Sequence, residues 1–316
     1  MGNYGFGNRR WSRSVELVRE LTKQAEIIEQ IVKRECQARK KVVYSLSFVI
    51  TKIDKEICME LQKIIEVLKK VSVEAGKAIM DVYNNCEDMQ IEYKEGDMPL
   101  TAADKAANAI IVDCLKKEFP EYAILSEEEK DNLSRLENDY CFIVDPLDGT
   151  KEFIKRNGQF TVNIALSYKH KSILGVIYVP VTEELYYAAQ GLGAFLQVNG
   201  QVTKLAVSNR TSDIRVVMSN SHGCPEMDQL LEKYHLTNFV SMGSSLKGCV
   251  IAKGEAEVYY RYNPTMEWDT AAMQCIVEEA GAIFRQMDGS EMTYNREDSL
   301  NRKGFYIINC QENYME

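Results

Sequence analysis

The chain has 316 residues, 45% hydrophobic and 27% charged, with 18 Gly and 6 Pro, which excludes wholesale disorder and collagen-like structure. The formal net charge of −9 is unevenly spread: residues 1–56 carry 12 Lys+Arg against 7 Asp+Glu, so everything after them is strongly acidic. A body of that sign disfavours nonspecific nucleic-acid binding, but it admits a small anion where local cations or amides neutralise the site.

No apolar run is long enough to predict a transmembrane helix. The opening residues MGNYGFGNRRWSRS lack the apolar core of a secretory signal, and Phe6 breaks the myristoylation pattern. The cysteines, Cys36, Cys58, Cys86, Cys114, Cys141, Cys224, Cys249, Cys275 and Cys310, are odd in number and form no CxxC pair. The expectation is reduced thiols in a cytoplasm, mostly acting as small buried hydrophobes, and neither a disulfide framework nor a zinc ribbon.

Residues 14–41 place Leu17, Leu21, Ile28, Ile31 and Val32 on one stripe and predict a helix. Its end is rich in Lys and Arg, as the helix dipole favours. The β-branched and aromatic run 42–50 predicts a short strand. This basic leader reads either as a loosely packed extension or as a helix lying on a membrane surface or a partner. From Met59 a long amphipathic helix is expected, with Leu61, Ile64, Ile65, Leu68, Val71 and Ala75 on one side and Asn84-Asn85 at its end. Residues 102–119 predict a second helix, closed by Pro120.

The apolar run 141–144 predicts a buried strand, and 159–168, 172–179 and 184–189 alternate like antiparallel strands. Asn199-Gly200 signals a hairpin. Beyond about residue 206, predicted strands at 215–219, 239–242 and 258–262 alternate with helices at 227–234, 245–252 and 270–280. The expected organisation is a leader (1–58), an α+β domain (59–206) and an α/β domain (207–316) that completes the substrate site.

The most informative segment is Val144-Asp-Pro-Leu-Asp-Gly-Thr150. Asp145 and Asp148 follow an apolar strand, a rigid mount, and carboxylates three residues apart across a tight turn can converge on one hard cation. Pro146 stiffens the turn, the Leu147 carbonyl is a further oxygen, and Gly149 lets amides near Thr150 approach a phosphate. Alone, such a string is equally an Asp-rich turn. Glu127 in ILSEEE alone reads as a solvated face, and Asp104 and Asp269 alone read as helix-capping acids. Four acidic stations in a body already acidic repel one another unless cations bind them, so a multi-metal site acting on phosphate is the economical reading.

These motifs resemble the lithium-sensitive, magnesium-dependent phosphatase superfamily of inositol monophosphatases and fructose-bisphosphatases. The pair DPLDGT and WDTAA, in this order and separation, carries the likeness from about Met59 to the C-terminus. The continuation DGTKEFIKRNGQFTVNIAL, where inositol monophosphatases typically read DGTTNF, resembles the 3'(2'),5'-bisphosphate nucleotidases of the CysQ type, as do SNSH, GSSLK and VYYRYNPTMEWD.

The resemblance implies a five-layer α-β-α-β-α sandwich and two or three Mg²⁺ held by Glu127, Asp145, Asp148, Asp269 and the Leu147 carbonyl. It implies a water-activating pair, Asp104 and Thr150, and phosphate-cradling amides at Gly149 and Thr150. It also implies nucleotide contacts at His222, Ser244, Lys247 and Arg261. The expected reaction is hydrolysis of the 3'-phosphate of adenosine 3',5'-bisphosphate, in a monomer or homodimer working in the cytoplasm or peripherally at the inner membrane face. The alternatives are an inositol or sugar phosphatase of the same fold and a noncatalytic interaction protein built on it. Lys247 and Arg261 read as solvated surface charges if they do not serve a second phosphate, and His222 alone reads as structural. Relatives of this kind begin near the helix expected at Met59, so the leader is either a real extension or a start-site artefact.

Overall fold

The computed structural model describes residues 23–24, 27, 40–85, 92–94, 98–220 and 223–316. The helix predicted over 14–41 lies almost wholly outside the described residues. The first long element, α1 (Lys40–Asn85), runs unbroken through Met59. It therefore corrects two expectations: 42–50 is helical rather than a strand, and the helix expected from Met59 starts at Lys40. A lone β-branched run without a partner strand leaves its backbone groups unpaired, whereas a continuing helix pairs them internally. The helix cost of β-branching is only a few tenths of a kcal/mol per residue, roughly.

After the short hairpin β1 (Glu92–Lys94) and β2 (Met98–Leu100) comes α2 (Ala102–Glu118). Then follow β3 (Ala123–Ser126), β4 (Tyr140–Asp148), the short α3 (Thr150–Ile154), β5 (Thr161–Tyr168), β6 (Lys171–Val179), β7 (Glu184–Ala189), β8 (Gly193–Val198) and β9 (Gln201–Lys204). β3 to β9 form one seven-stranded sheet in sequence order, antiparallel except for the parallel β3–β4 pair. Asn199 and Gly200, at φ 49° and 78°, make the predicted hairpin turn between β8 and β9.

The remainder contains β10 (Val216–Ser219), α4 (Pro225–Lys233), β11 (Phe239–Met242), α5 (Leu246–Ala252), β12 (Val258–Arg261), β13 (Thr265–Met266), α6 (Glu267–Glu279), β14 (Ile283–Gln286), β15 (Leu300–Asn301) and β16 (Phe305–Ile308). Five of these strands form a mixed sheet in the order β11-β10-β12-β16-β14.

Three cores bind the layers together. The α1 stripe Leu61, Ile64, Ile65, Leu68, Val71 and Ala75 is buried as its spacing required, with Ile111 of α2, against Phe142, Val144, Ile164 and Val176. The opposite face of the same sheet, through Ile143, Ala165 and Ile177, packs on Ala271, Ala272 and Ile276 of α6, which also meets Tyr259, Phe305 and Ile307 of the second sheet. On the far side Met227 and Leu230 of α4 cover Val216, Val258, Tyr260 and Ile308. The result is the α-β-α-β-α order. Gly175 is why α6 lies so close to β6: a Cβ there would sit 2.4 Å from the Ala272 carbonyl oxygen. That close seating carries the N-terminus of α6, and Asp269 with it, toward the end of β4.

Candidate active site

A strand alone cannot aim residues three apart at one point, because successive side chains alternate faces. β4 solves this with an irregularity. Asp145 pairs with Asn163 and Asp148 with Thr161, so the register shifts by one residue around Pro146, which has no N–H to lose from the ladder. One carboxylate oxygen each from Asp145, Asp148 and Asp269 then lies within 4.8 Å of the others. Glu127 follows β3 beside them, its N–H bonded to the Val144 carbonyl at 3.1 Å.

Each aspartate commits at least one oxygen to the scaffold. Asp104 Oδ2 accepts the Thr101 N–H (2.7 Å) and hydroxyl (2.5 Å), a capping box for α2, while Oδ1 accepts the Thr150 hydroxyl at 3.2 Å. Asp269 Oδ2 accepts the Met266 N–H at 2.7 Å at the start of α6. Asp145 Oδ1 accepts the Leu147 N–H at 3.1 Å. Asp148 Oδ2 accepts from Ser244, Ser245 and Asn163. Capping acid and site acid, alternatives in the sequence, are one residue doing both at Asp104 and Asp269. The Leu147 carbonyl lies 3.3 Å from Thr150 Oγ1, a second acceptor for the one Thr150 proton.

The electrostatics follow from that crowding. Burial, then Glu127, Asp148, Asp269 and Asp104, holds Asp145 well above the usual carboxylate range. Burial and then Asp148 push Asp269 up to about 7. Carboxylates so arranged ionise together only when positive charge joins them, and their hard oxygens suit a divalent cation such as Mg²⁺.

Glu127, Asp148, Gly149, Thr150, Ser244, Lys247, Arg261 and Asp269 line one cleft of about 270 Å³. Lys247 is buried, not a solvated surface charge: its Nζ donates to the Ser244 carbonyl at 2.5 Å and lies 5.9 Å from the Tyr259 ring centroid. Burial lowers its pKa. Arg261 Nε is buried and has no hydrogen-bond partner among the described residues, an orphan donor beside the cleft. Gly149 takes φ 93°, and a Cβ there would approach the Gln159 carbonyl to 3.1 Å and Ser244 Cβ to 3.2 Å. His222 lies outside the described residues.

Sequence reasoning passed over Thr161, Asn163 and Ser245, buried polar groups gathered around Asp148. The available signal was Thr161 and Asn163 at i and i+2, two polar residues on one face at the start of a mostly apolar strand. It also passed over Asn108, which joins α2 to the Glu127 loop. Its carbonyl accepts the Ser126 hydroxyl at 2.7 Å and its amide donates to Glu129 at 2.8 Å.

The sequence pattern of the inositol monophosphatase family matches residues 60–308, and the chain belongs to that family. Within it, the chain is 42% identical over 234 residues to the 3'(2'),5'-bisphosphate nucleotidase CysQ of Salmonella typhimurium, covering 74% of this chain and 94% of the relative. It is 38% identical over 249 residues to that of Buchnera aphidicola, covering 78% and 93%. The crystal structure of CysQ from Bacteroides thetaiotaomicron superposes with a TM-score of 0.68 at 37% identity, over 78% of this chain and 98% of that one. An inositol monophosphatase from Thermotoga maritima gives 0.65 at 26% identity, over 78% and 92%.

Proposed function

We propose that this chain is a Mg²⁺-dependent 3'(2'),5'-bisphosphate nucleotidase that converts adenosine 3',5'-bisphosphate and water to AMP and phosphate. The observation that carries the reading is one cleft lined by Asp148 and Asp269, two members of the convergent carboxylate triad, and by the cations Lys247 and Arg261. Asp145, Asp148, Asp269, Glu127 and the Leu147 carbonyl would hold two or three cations. When bound, these supply neutralisation of the phosphate oxygens and acidification of the attacking water.

The chain's own groups do the rest. Thr150 Oγ1 takes a proton from the water as its own proton passes to Asp104 Oδ1, whose partner oxygen is pinned by Thr101. Lys247 and the buried Arg261 Nε bind the second phosphate, which separates a bisphosphate nucleotide from a sugar monophosphate. Gly149 and Thr150 amides face the phosphate to be cleaved, and Ser244 borders the nucleotide. The buried free thiols at Cys141, Cys249 and Cys275 fit work in a reducing cytoplasm.

Phosphate release is measured on adenosine 3',5'-bisphosphate and inositol 1-phosphate, with Mg²⁺ and with chelator. The expected result is Mg²⁺-dependent release, faster from the nucleotide. Equal or faster release from the inositol phosphate defeats the nucleotidase reading, and no release from either defeats the enzyme reading.

A further inference from the structure

Asp148 differs from its neighbours in how completely one oxygen is occupied. Oδ2 accepts the Ser244 hydroxyl (2.8 Å), the Ser245 N–H (2.7 Å), the Ser245 hydroxyl (2.7 Å) and the Asn163 amide (3.1 Å). A carboxylate oxygen offers about two lone-pair sites, so these donors saturate it. Asn163 and Ser245 also bond one another at 2.9 Å, and both are 1% exposed. Asn163 belongs to β5 of the first sheet, and Ser245 starts α5 of the other half. The oxygen is therefore clasped from both sides of the cleft, by residues whose own mutual bond sets their spacing.

We infer that Asn163 and Ser245 are positioning residues that lock Asp148 as a one-oxygen metal ligand and tie that ligand to the turn bearing Lys247. The tie is short. Ser244, at φ 50°, gives its hydroxyl to Asp148 and its carbonyl to Lys247 Nζ, so the nucleotide-side cation and the cation-side carboxylate share one residue. Seating an anion on Lys247 and seating a cation on Asp148 Oδ1 then favour the same geometry of residues 244–247. This inference rests on the metal role proposed for Asp148 above.

The test is calorimetric titration of Mn²⁺ into the full chain without substrate, with melting curves to confirm folding. Hydrogen-bond partners behind a metal ligand typically change metal affinity about 10–100-fold. Ser245→Ala and Asn163→Ala are each expected to bind Mn²⁺ at least about tenfold more weakly than the parent. Excess Mn²⁺ should restore most of their turnover. Ser167→Ala is the control: it removes a buried β5 hydroxyl that bonds only scaffold, the Cys141 carbonyl at 3.1 Å, and should leave Mn²⁺ affinity unchanged.

Unchanged affinity in both Ser245→Ala and Asn163→Ala, or an equal loss in Ser167→Ala, overturns the clasp. If one variant fails to fold, the other reads the same oxygen from the opposite side of the cleft. Asp148→Asn separates the two levels. A parent that binds no Mn²⁺, or an Asp148→Asn protein that binds it as tightly as the parent, overturns the metal role itself. Binding lost in Asp148→Asn but kept in the other two overturns only the clasp.

Discussion

Glu257 and Asp145 are both buried carboxylates, yet the chain treats them in opposite ways. Glu257, fully buried before β12, accepts the Arg215 N–H (2.6 Å), two guanidinium contacts (2.6 and 3.1 Å) and the Ser208 hydroxyl (2.6 Å). Burial pushes its pKa up, but the Arg215 and Ser208 bonds outweigh it and the net shift is downward. Asp145 sits among Glu127, Asp148, Asp269 and Asp104, all of which add to the effect of burial. Where the fold only needs an ion pair, the chain supplies its own arginine. Where it supplies only further acids, the missing charge must come from solution. Glu267 extends the lesson: two residues from Asp269, it has Arg296 at 3.0 Å and belongs to the scaffold.

The largest expected break in this contrast is Asp145→Asn. Removing a ligand worth several kcal/mol of charge stabilisation should lower kcat by about 10³-fold. The same change should raise the melting temperature of the chelated protein, because it relieves repulsion among the acids. Activity assays and melting curves in chelator check both halves; a lower chelated melting temperature would contradict the electrostatic account.

Glu257→Gln should do the reverse, costing about 3 kcal/mol of stability by stranding Arg215 while kcat/KM is kept at a temperature where the variant is folded. Denaturant unfolding measures it.

The pH dependence is smaller and has a definite sign. Asp269, raised to about 7, stabilises the fold at pH below its unfolded value of about 3.9, and that contribution is lost as pH rises through 7. Glu257, depressed, contributes above its unfolded value of about 4.3 and is lost as pH falls through its folded one. Chelated protein should therefore melt roughly 5 °C lower at pH 8 than at pH 5.5, a window in which Asp269 titrates and Glu257 does not. Adding Mg²⁺ at pH 8 should remove the difference. Thr101→Ala is the mildest change: loss of the α2 cap should cost about 1 kcal/mol. Its kcat should fall only slightly, since Asp104 Oδ1 keeps Thr150.

Much of this was legible in the chain. The stripe Leu61 to Ala75 announced a helix face, and the strands at 184–189 and 239–242 lie where their composition put them. The acids of DPLDGT and WDTAA announced a cation site because few other arrangements tolerate so many like charges. The run 42–50 misled because β-branching is a weak local bias, and strand formation needs a partner that no local pattern reveals. Thr161, Asn163 and Ser245 escaped notice because a polar residue in a strand gains meaning only from what faces it.

The sequence by itself determined the residue types of the site and, through the motifs' resemblance, the family and the layer pattern that the family implies, since motif chemistry is a property of the chain. Tertiary structure alone decided which oxygen of each aspartate is tied to the scaffold. That choice depends on donors from separate segments, Thr101 for Asp104, Met266 for Asp269, and Asn163 with Ser245 for Asp148. Hydrogen bonds act over about 3 Å. Asn163 and Ser245, 82 residues apart in the chain, come within that range only when the layers pack.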